Sequence, residues 1–279
     1  MEKTIALLKI ILLLLAIAIL SCILVLFIKK DYNVFEKFNF GISKATLIYD
    51  EIIEEEFNKI DISTESLDIE FVKANDNIVN VKVYDEEDSS VYVGVTDSTL
   101  KVVSKNKTKV HFGIATMNKK VVISLPENIY DLVITSTSGD ITSEIEFNNV
   151  SIKSTSGDIK LDKVKDADLS VTSGDIFVKE VNNLIINSTS GDVDINKINN
   201  HIELKTQSGD VKINDLSLTE DSKIKLTSGD IKVLKSSSDI YFNASSKTGD
   251  IRINNNNRYG AAELTINTVS GDITVKSGE

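Results

Sequence analysis

Apolar and polar residues alternate with a period of two along most of the chain after residue 59. Such alternation predicts half-buried β-strands, here at Ile60–Ile62, Leu67–Phe71, Val79–Val83, Tyr92–Val95, Leu100–Val103 and Val121–Leu125. The acidic stretch Asp50–Glu56, just before these segments, carries the apolar residues of a short, weakly indicated helix. No helical period follows residue 60, so the pattern predicts an all-β fold.

The second half of the chain repeats one short motif, Ser-Gly-Asp or a close variant. Its glycines follow one another at intervals of 17 to 22 residues, at Gly139, Gly157, Gly174, Gly191, Gly209, Gly229, Gly249 and Gly271. An Ile or Val lies two residues after each glycine, and an apolar residue lies five residues before it. These two positions are seven apart, so one straight strand cannot bury both on the same face. We therefore expect the chain to bend at the motif, where glycine can adopt a positive φ.

Repetition at a nearly fixed period predicts a β-solenoid with one coil of about 17–22 residues per repeat. Stacking would bury the apolar residues of short units that cannot form a core alone. A meander with Gly-Asp at its hairpin tips is the alternative. The predicted organisation is a transmembrane anchor (1–30), a juxtamembrane connector (31–57), an N-terminal strand region of the solenoid (58–130) and the Ser-Gly-Asp repeat solenoid (131–279).

The N-terminus contains an uncharged apolar run, residues 10–28, with lysines on both sides. A membrane-spanning helix needs about 20 such residues, so we expect one uncleaved transmembrane helix. The stretch Ile19-Leu20-Ser21-Cys22 resembles a lipoprotein processing site, but Leu20 is bulky and the apolar run continues after Cys22. The flanking lysines are nearly balanced, and the free amino terminus favours a cytoplasmic N-terminus with the C-terminal domain extracellular.

The repeats also carry a resemblance to known proteins. Leu125-Pro126-Glu127 leads through Tyr130 and Leu132–Ile134 into Ser138-Gly139-Asp140-Ile141, and further Ser-Gly-Asp units follow. With these features, the region from Phe57 to Glu279 resembles a bacterial family of β-strand-repeat proteins of unknown function that are proposed to be adhesins. The resemblance implies a β-solenoid-like stack, membrane-anchored or envelope-associated, with some members linked to envelope stress. It supplies no catalytic residues.

Charge and cysteine content exclude several classes of function. The net charge is −11, although residues 1–30 hold four lysines and one glutamate. Nucleic-acid binding requires clustered Lys and Arg, and the only arginines are Arg252 and Arg258. Cys22 is the only cysteine, so the rest of the chain has no disulfide and no cysteine-ligated zinc.

The residues that could carry chemistry point to structure rather than catalysis. One aspartate follows each repeated glycine, and these residues are Asp140, Asp158, Asp175, Asp192, Asp210, Asp230, Asp250 and Asp272. We expect their side chains to cap the turns; calcium binding is the alternative, although one carboxylate per coil offers few ligands. His111 and His201 lack metal or triad spacing, and strand packing explains the late aromatics Tyr241, Phe242 and Tyr259. No catalytic, cofactor or metal residue is predicted.

The sequence thus predicts a membrane-anchored, non-catalytic β-solenoid at the bacterial cell envelope. Its expected role is adhesion, surface interaction or envelope-stress sensing. The expected partners are the membrane through residues 10–28, envelope polymers, surface proteins, and a second copy through the terminal coil near Ile273, with no nucleic acid. The alternatives are a β-helix enzyme acting on cell-wall glycans and a cytoplasmic, membrane-tethered scaffold that polymerises through its coil ends.

Overall fold

A computed structural model of the chain describes residues 38–40, 45–87, 89–105, 110–112 and 118–277. The predicted membrane segment, residues 10–28, lies outside this part. None of the described residues belongs to a helix that is both long and apolar enough to cross a bilayer. Strand β1 (Phe38–Phe40) pairs in parallel with β8 (Val110–Phe112) within a separate small unit.

All other described strands belong to the second unit. Its first part contains β2 (Thr46–Ile53), β3 (Lys59–Thr64), β4 (Asp68–Lys73), β5 (Val79–Asp85), β6 (Ser90–Thr96), β7 (Thr99–Lys105), β9 (Lys120–Leu125) and β10 (Tyr130–Ser136). The repeats contribute β11 (Ile141–Ser156), β12 (Ile159–Ser173), β13 (Ile176–Ser190), β14 (Val193–Ser208), β15 (Val211–Leu216), β16 (Ser222–Ser228), β17 (Ile231–Val233), β18 (Ile240–Thr248), β19 (Ile251–Asn254), β20 (Ala262–Ser270) and β21 (Ile273–Lys276).

Each repeat forms one coil, and neighbouring coils of the stack pair in parallel and nearly in register. Ile141 lies beside Ile159, Ile159 beside Ile176, and Ile176 beside Val193. Hairpins of a meander would pair antiparallel, so the solenoid prediction is confirmed for the repeats.

The chain bends twice within a long strand such as β12, in addition to the bend at the repeated glycine. In β12 the buried side chains are Ile159, Leu161, Val164, Ala167, Leu169 and Val171. In a straight strand, side chains an even number of residues apart lie on the same face. Leu161, Val164 and Ala167 are three residues apart, and Val171 is five residues before Ile176. The chain must therefore bend within each of these odd intervals for all of these side chains to face the core. The bend at the repeated glycine was predicted from parity. The two bends inside the long strand were not.

Antiparallel strands close the N-terminal end of the stack. The coil formed by β3 and β4 is followed by β7 and β9, which pair with it in parallel. Strand β6 then pairs antiparallel with β7, while β5 pairs antiparallel with β9 and β2 with β5. The weak helix expected over Asp50–Glu56 is wrong, because β2 continues to Ile53 and uses this segment to extend the sheet.

At the other end, the order of the last two coils is reversed relative to the sequence. The chain's final strands β20 and β21 pair with β16 and β17 on one side and with β18 and β19 on the other. The expectation of an open terminal coil near Ile273 is therefore wrong: Ile273 is fully buried. The exposed coil is β18–β19, where Ala244 and Ser246 replace the more apolar Ile266 and Thr268 of β20. The coil with the weaker apolar column thus lies at the solvent-exposed end.

The core runs along the solenoid axis as columns of like side chains. One such column consists of the Ile or Val side chains two residues after each repeated glycine. These side chains are fully buried in every coil except the terminal one. Aromatic residues join the N-terminal strands to the first repeat, since the rings of Phe71 and Phe147 meet edge to face with centroids 5.1 Å apart. Packing of this kind makes the N-terminal strands and the repeats one continuous core.

Candidate functional site

The repeated glycines form a close-packed column at one corner of the stack. All eight have positive φ values, between 110° and 153°. A Cβ atom added to any of them would lie 2.0–2.3 Å from a carbonyl oxygen of the neighbouring corner. Glycine is therefore required both for the backbone conformation and for the close approach of the coils. The first corner, where Leu67 replaces the glycine, lies at the N-terminal end of this column.

The aspartates after these glycines form a hydrogen-bonded column along the same corner. In each pair of neighbouring coils, Oδ1 of one aspartate accepts a hydrogen bond of 2.8–2.9 Å from the backbone N–H of the next. The column runs through Asp68, Asp140, Asp158, Asp175, Asp192, Asp210, Asp230, Asp272 and Asp250. Each aspartate therefore caps the N–H at the corner of the next coil, and not its own turn as the sequence predicted.

Hydroxyl groups stabilise the turns themselves. Three residues before a glycine, Ser136 Oγ donates to the carbonyl oxygen of Ser138 at 3.0 Å, and Ser154 Oγ donates to that of Ser156 at 2.9 Å. The repeated triplet therefore serves folding at this corner. Among the described residues, no three acidic, His or Cys side chains are grouped so that they could hold a metal ion.

A groove of about 390 Å³ crosses the outer surface of several coils, away from the glycine corner. Strands β3, β10, β11, β12, β13 and β14 contribute to it. Its lining combines carboxylates, amides and apolar side chains, namely Lys59, Asp131, Leu132, Val133, Asn149, Val150, Ser151, Asp166, Ala167, Asp168, Asn183, Ile185 and His201. At a strand spacing of about 4.8 Å, six strands span about 24 Å. The groove therefore suits an extended ligand better than a compact one.

Hydrogen bonds between coils hold the polar side chains of this groove in place. Asp131 Oδ1 accepts from the side-chain amides of Asn148 and Asn149 at 3.0 and 2.9 Å. The side-chain amide of Asn183 donates to Asp166 Oδ1 at 2.5 Å. Burial acts to raise the pKa of Asp131, but the hydrogen bonds from the two asparagines and the charge of Lys59 outweigh it and lower the pKa. The groove thus presents an ionised carboxylate beside fixed amides.

Of the two histidines singled out in the sequence, only His201 lies at this groove. Its Nδ1 is 3.3 Å from Ser222 Oγ. His111 lies in β8, in the other unit. The aromatic and arginine residues of the last repeats are not brought to the groove: Phe242 is buried in the core, and Arg252 forms an ion pair with Asp250 at 2.8 Å. Ser222 is buried and does not line the groove, and its Oγ also donates to the carbonyl oxygen of Glu220 at 3.0 Å and accepts the N–H of Ile202 at 3.1 Å. This serine therefore holds the backbone beside His201.

The groove was missed in the sequence, although a periodic signal marks it. Asp131, Asn149, Asp166, Asn183 and His201 each lie eight residues before a repeated glycine. Equivalent positions of a solenoid stack into a column, so these polar residues had to share one face. The signal was weak because Asp, Asn and His are also ordinary surface residues.

Comparisons with known proteins agree with this architecture. Residues 57–276 match the family model described as Toastrack DUF4097. A crystal structure of a proposed adhesin from Bacteroides fragilis superposes with a TM-score of 0.55 at 19% identity, covering 85% of this chain and 100% of that one. A proposed lipid-binding protein from Parabacteroides distasonis gives a TM-score of 0.48 at 14% identity, with 87% and 100% covered. The first of these supports the fold alone. No curated protein matches the sequence.

Proposed function

The chain belongs to the Toastrack DUF4097 family, and from that premise we propose that it is a non-catalytic surface-interaction protein of the bacterial cell envelope. In this proposal the solenoid binds an extended polymer or an extended protein segment along the groove that crosses β3 and β10–β14. The observation that supports it most directly is the groove itself, which offers a repeated row of carboxylates and amides over about 24 Å.

The electrostatics of the groove favour binding over glycan hydrolysis. A glycosidase needs one carboxylic acid with a raised pKa to protonate the leaving group. Two of the three groove carboxylates do not fit that role: Asp131 has a lowered pKa, and Asp166 accepts a hydrogen bond from the side-chain amide of Asn183. Carboxylates fixed in this way accept hydrogen bonds from hydroxyl or amino groups of a ligand.

Apolar side chains in the same groove add contact area. Ile185 is 38% exposed between Asp168 and Glu203 of the neighbouring coils, and Val133 is half-buried. An exposed isoleucine with polar neighbours can pack against the apolar face of a sugar ring or an aliphatic side chain. Apolar contact is offered by Val133 and Ile185 only, because the equivalent positions of the other groove coils are Ser151, Asp168 and Glu203.

In this account, residues 10–28 hold the chain in the membrane and the solenoid lies on the outer side. The adhesins proposed among similar structures fit such a location. A surface role would place the groove within reach of wall polymers or of proteins on other cells. Envelope-stress sensing would use the same placement, with the bound ligand as the signal.

The test is binding of the full-length protein, kept in detergent, to insoluble envelope polymers prepared from bacterial cells. We expect sedimentation of the wild type with the polymer and at least about tenfold weaker binding for Ile185→Glu, which adds a charge between two carboxylates. The matched control is Leu234→Glu, because Leu234 is 41% exposed and lies outside the groove. Equal binding of all three proteins, or no binding by the wild type, would overturn the groove as the binding surface.

A further inference from the structure

The terminal coil β18–β19 has one uncovered side. Ile251, which belongs to the core column after the glycines, is 42% exposed, whereas Ile231 and Ile273 in the two coils before it in the stack are fully buried. Ala244 and Ile253, which also point toward the core, are only half-buried. The cross-section of the hydrophobic core is thus open to solvent at this end.

The backbone edge of β18 is covered over only half of its length. The side chain of Asn256 pairs with both the N–H and the carbonyl oxygen of Phe242, at 2.9 and 2.8 Å, and so imitates a further strand there. Alternate residues of a strand direct their backbone groups to the same side. The polar groups of Ala244 and Ser246 therefore point outward as well, beyond the reach of Asn256.

The hydrogen-bond ladder of the corner also ends at this coil. In the coils below, two hydrogen bonds join each corner to the next one in the stack. The carboxylate of the corner aspartate accepts the backbone N–H of the next corner's aspartate. The backbone N–H two residues after the glycine donates to the carbonyl oxygen of that same aspartate in the next corner. Asp250 is the last in the column, and its carboxylate binds Arg252 at 2.8 Å instead. A further strand placed here would find the same donors and acceptors that join the other coils.

The opposite end of the solenoid is built differently from the β18–β19 coil. It is closed by the antiparallel strands β5, β6 and β2, and β2 carries Asp50 and Glu51 and is followed by Glu54–Glu56. Among the described residues, the parallel ladder of the repeats ends in an unpaired coil at β18–β19, so two copies can continue their repeat ladders there. Contact of the same end in both copies gives a closed pair and not a fibre.

Charge favours a second copy at this end over contact elsewhere on the chain. The chain has a net charge of −11, so most surfaces of two copies repel each other. Within residues 239–259, however, the three cations Lys247, Arg252 and Arg258 outnumber the carboxylates of Asp239 and Asp250, and Glu263 of the coil below accepts a hydrogen bond from Asn243. When the β18–β19 edges of two copies meet antiparallel about the corner at Gly249, Lys247 of one copy comes close to Asp250 of the other.

From the exposed core column, the half-covered edge and the local charge, we propose that Ala244–Asn254 is a self-association surface through which two copies join end to end. Strand pairing continues the sheet from one copy into the other, and Ile251 and Ile253 of both copies complete the open core. Tyr259, 96% exposed on the loop that follows β19, provides an aromatic side chain at the rim of this contact.

The test is the mass of the full-length protein in detergent, measured by light scattering or sedimentation equilibrium over a range of concentrations. We expect a dimer for the wild type. Ile251→Lys should weaken it at least about tenfold, because a charge would enter the apolar contact. The matched control is Ile78→Lys, since Ile78 is 41% exposed near the other end of the solenoid. A second variant, Ala244→Pro, removes an outward N–H that β20 does not use and should also weaken the dimer.

The outcomes separate this surface from other causes of association. A wild-type protein that remains monomeric at its highest soluble concentration would overturn the proposal. So would a dimer that both Ile251→Lys and Ala244→Pro leave intact, because it would form through another part of the chain. Conversion of the pair to a monomer by added extended peptides would show that the edge accepts foreign strands in preference to a second copy, and would also overturn it.

Discussion

The tightest constraint in the molecule is the glycine column, and replacing one of its members should be costly. In Gly174→Ala the new Cβ would lie 2.1 Å from the carbonyl oxygen and 2.7 Å from the carbonyl carbon of Gly157. Both are backbone atoms of the neighbouring coil, so a side-chain rotation cannot relieve the contact. The φ of Gly174, 134°, is also one that residues with a Cβ rarely adopt.

The magnitude follows from these two effects. Forcing a residue with a Cβ into a rarely populated backbone region costs about 1–3 kcal/mol. Overpacking against a rigid neighbour costs about 1–3 kcal/mol more. We therefore expect Gly174→Ala to lower the free energy of unfolding by about 2–6 kcal/mol. Because coils contact only their neighbours, the loss should be largest around Gly157 and Gly191.

The assay is chemical denaturation of the full-length protein followed by far-ultraviolet circular dichroism. Gly94→Ala is the matched control, since the atoms nearest to a Cβ at Gly94 would belong to the movable side chain of Tyr92. We expect that variant to unfold within about 0.5 kcal/mol of the wild type. Equal stability of the Gly174→Ala and Gly94→Ala proteins would refute the close-packed corner, and with it the stacking register on which the fold rests.

Three further predictions concern the aspartate column, the aromatic contact and the groove. Asp175→Ala removes the acceptor for the N–H of Asp192 and should cost about 1–3 kcal/mol, while Asp175→Asn, which keeps an acceptor oxygen, should cost less in the same denaturation assay. Phe147→Ala removes the fully buried partner of Phe71 and should cost about 3–5 kcal/mol; a smaller loss would mean that the N-terminal strands do not share the core. Asp131 should titrate below its usual pKa in carbon-detected NMR. Because the folded-state pKa is lowered, the ionised carboxylate stabilises the fold above the unfolded-state pKa, and this stabilisation is lost as the pH falls through the folded-state pKa. Asp131→Asn should therefore reduce the loss of stability in acid.

The strands and the corner could be predicted because the physical rules behind them are local. Alternation between residues 60 and 125 marks side chains that face a core, and the odd interval across the repeated triplet requires a bend there. In β12 the two other bends follow the same rule, since Leu161, Val164 and Ala167 are spaced by three residues. Reading every interval of that repeat, and not only the one across the glycine, would have predicted all three bends. In β14 the interval of four from Ile198 to Ile202 hides one of them.

The order of the coils could not be predicted in this way. Repeats with equivalent apolar positions can stack in more than one order, and periodicity does not distinguish β18–β19 from β20–β21 as the terminal coil. The difference lies in small changes at core positions, such as Ala244 in place of Ile266. The antiparallel closure by β2 was missed for a similar reason: its acidic residues at Asp50 and Glu51 obscure the alternation of an edge strand.

The measurement that tests the central claim most directly is protease treatment of intact cells that express the full-length protein with a tag after Glu279. A surface-interaction protein predicts that the tag and the solenoid are cut while a cytoplasmic control protein stays intact. Survival of the solenoid until the cells are lysed, together with ready digestion of the purified protein by the same protease, would contradict the account and place the groove inside the cell.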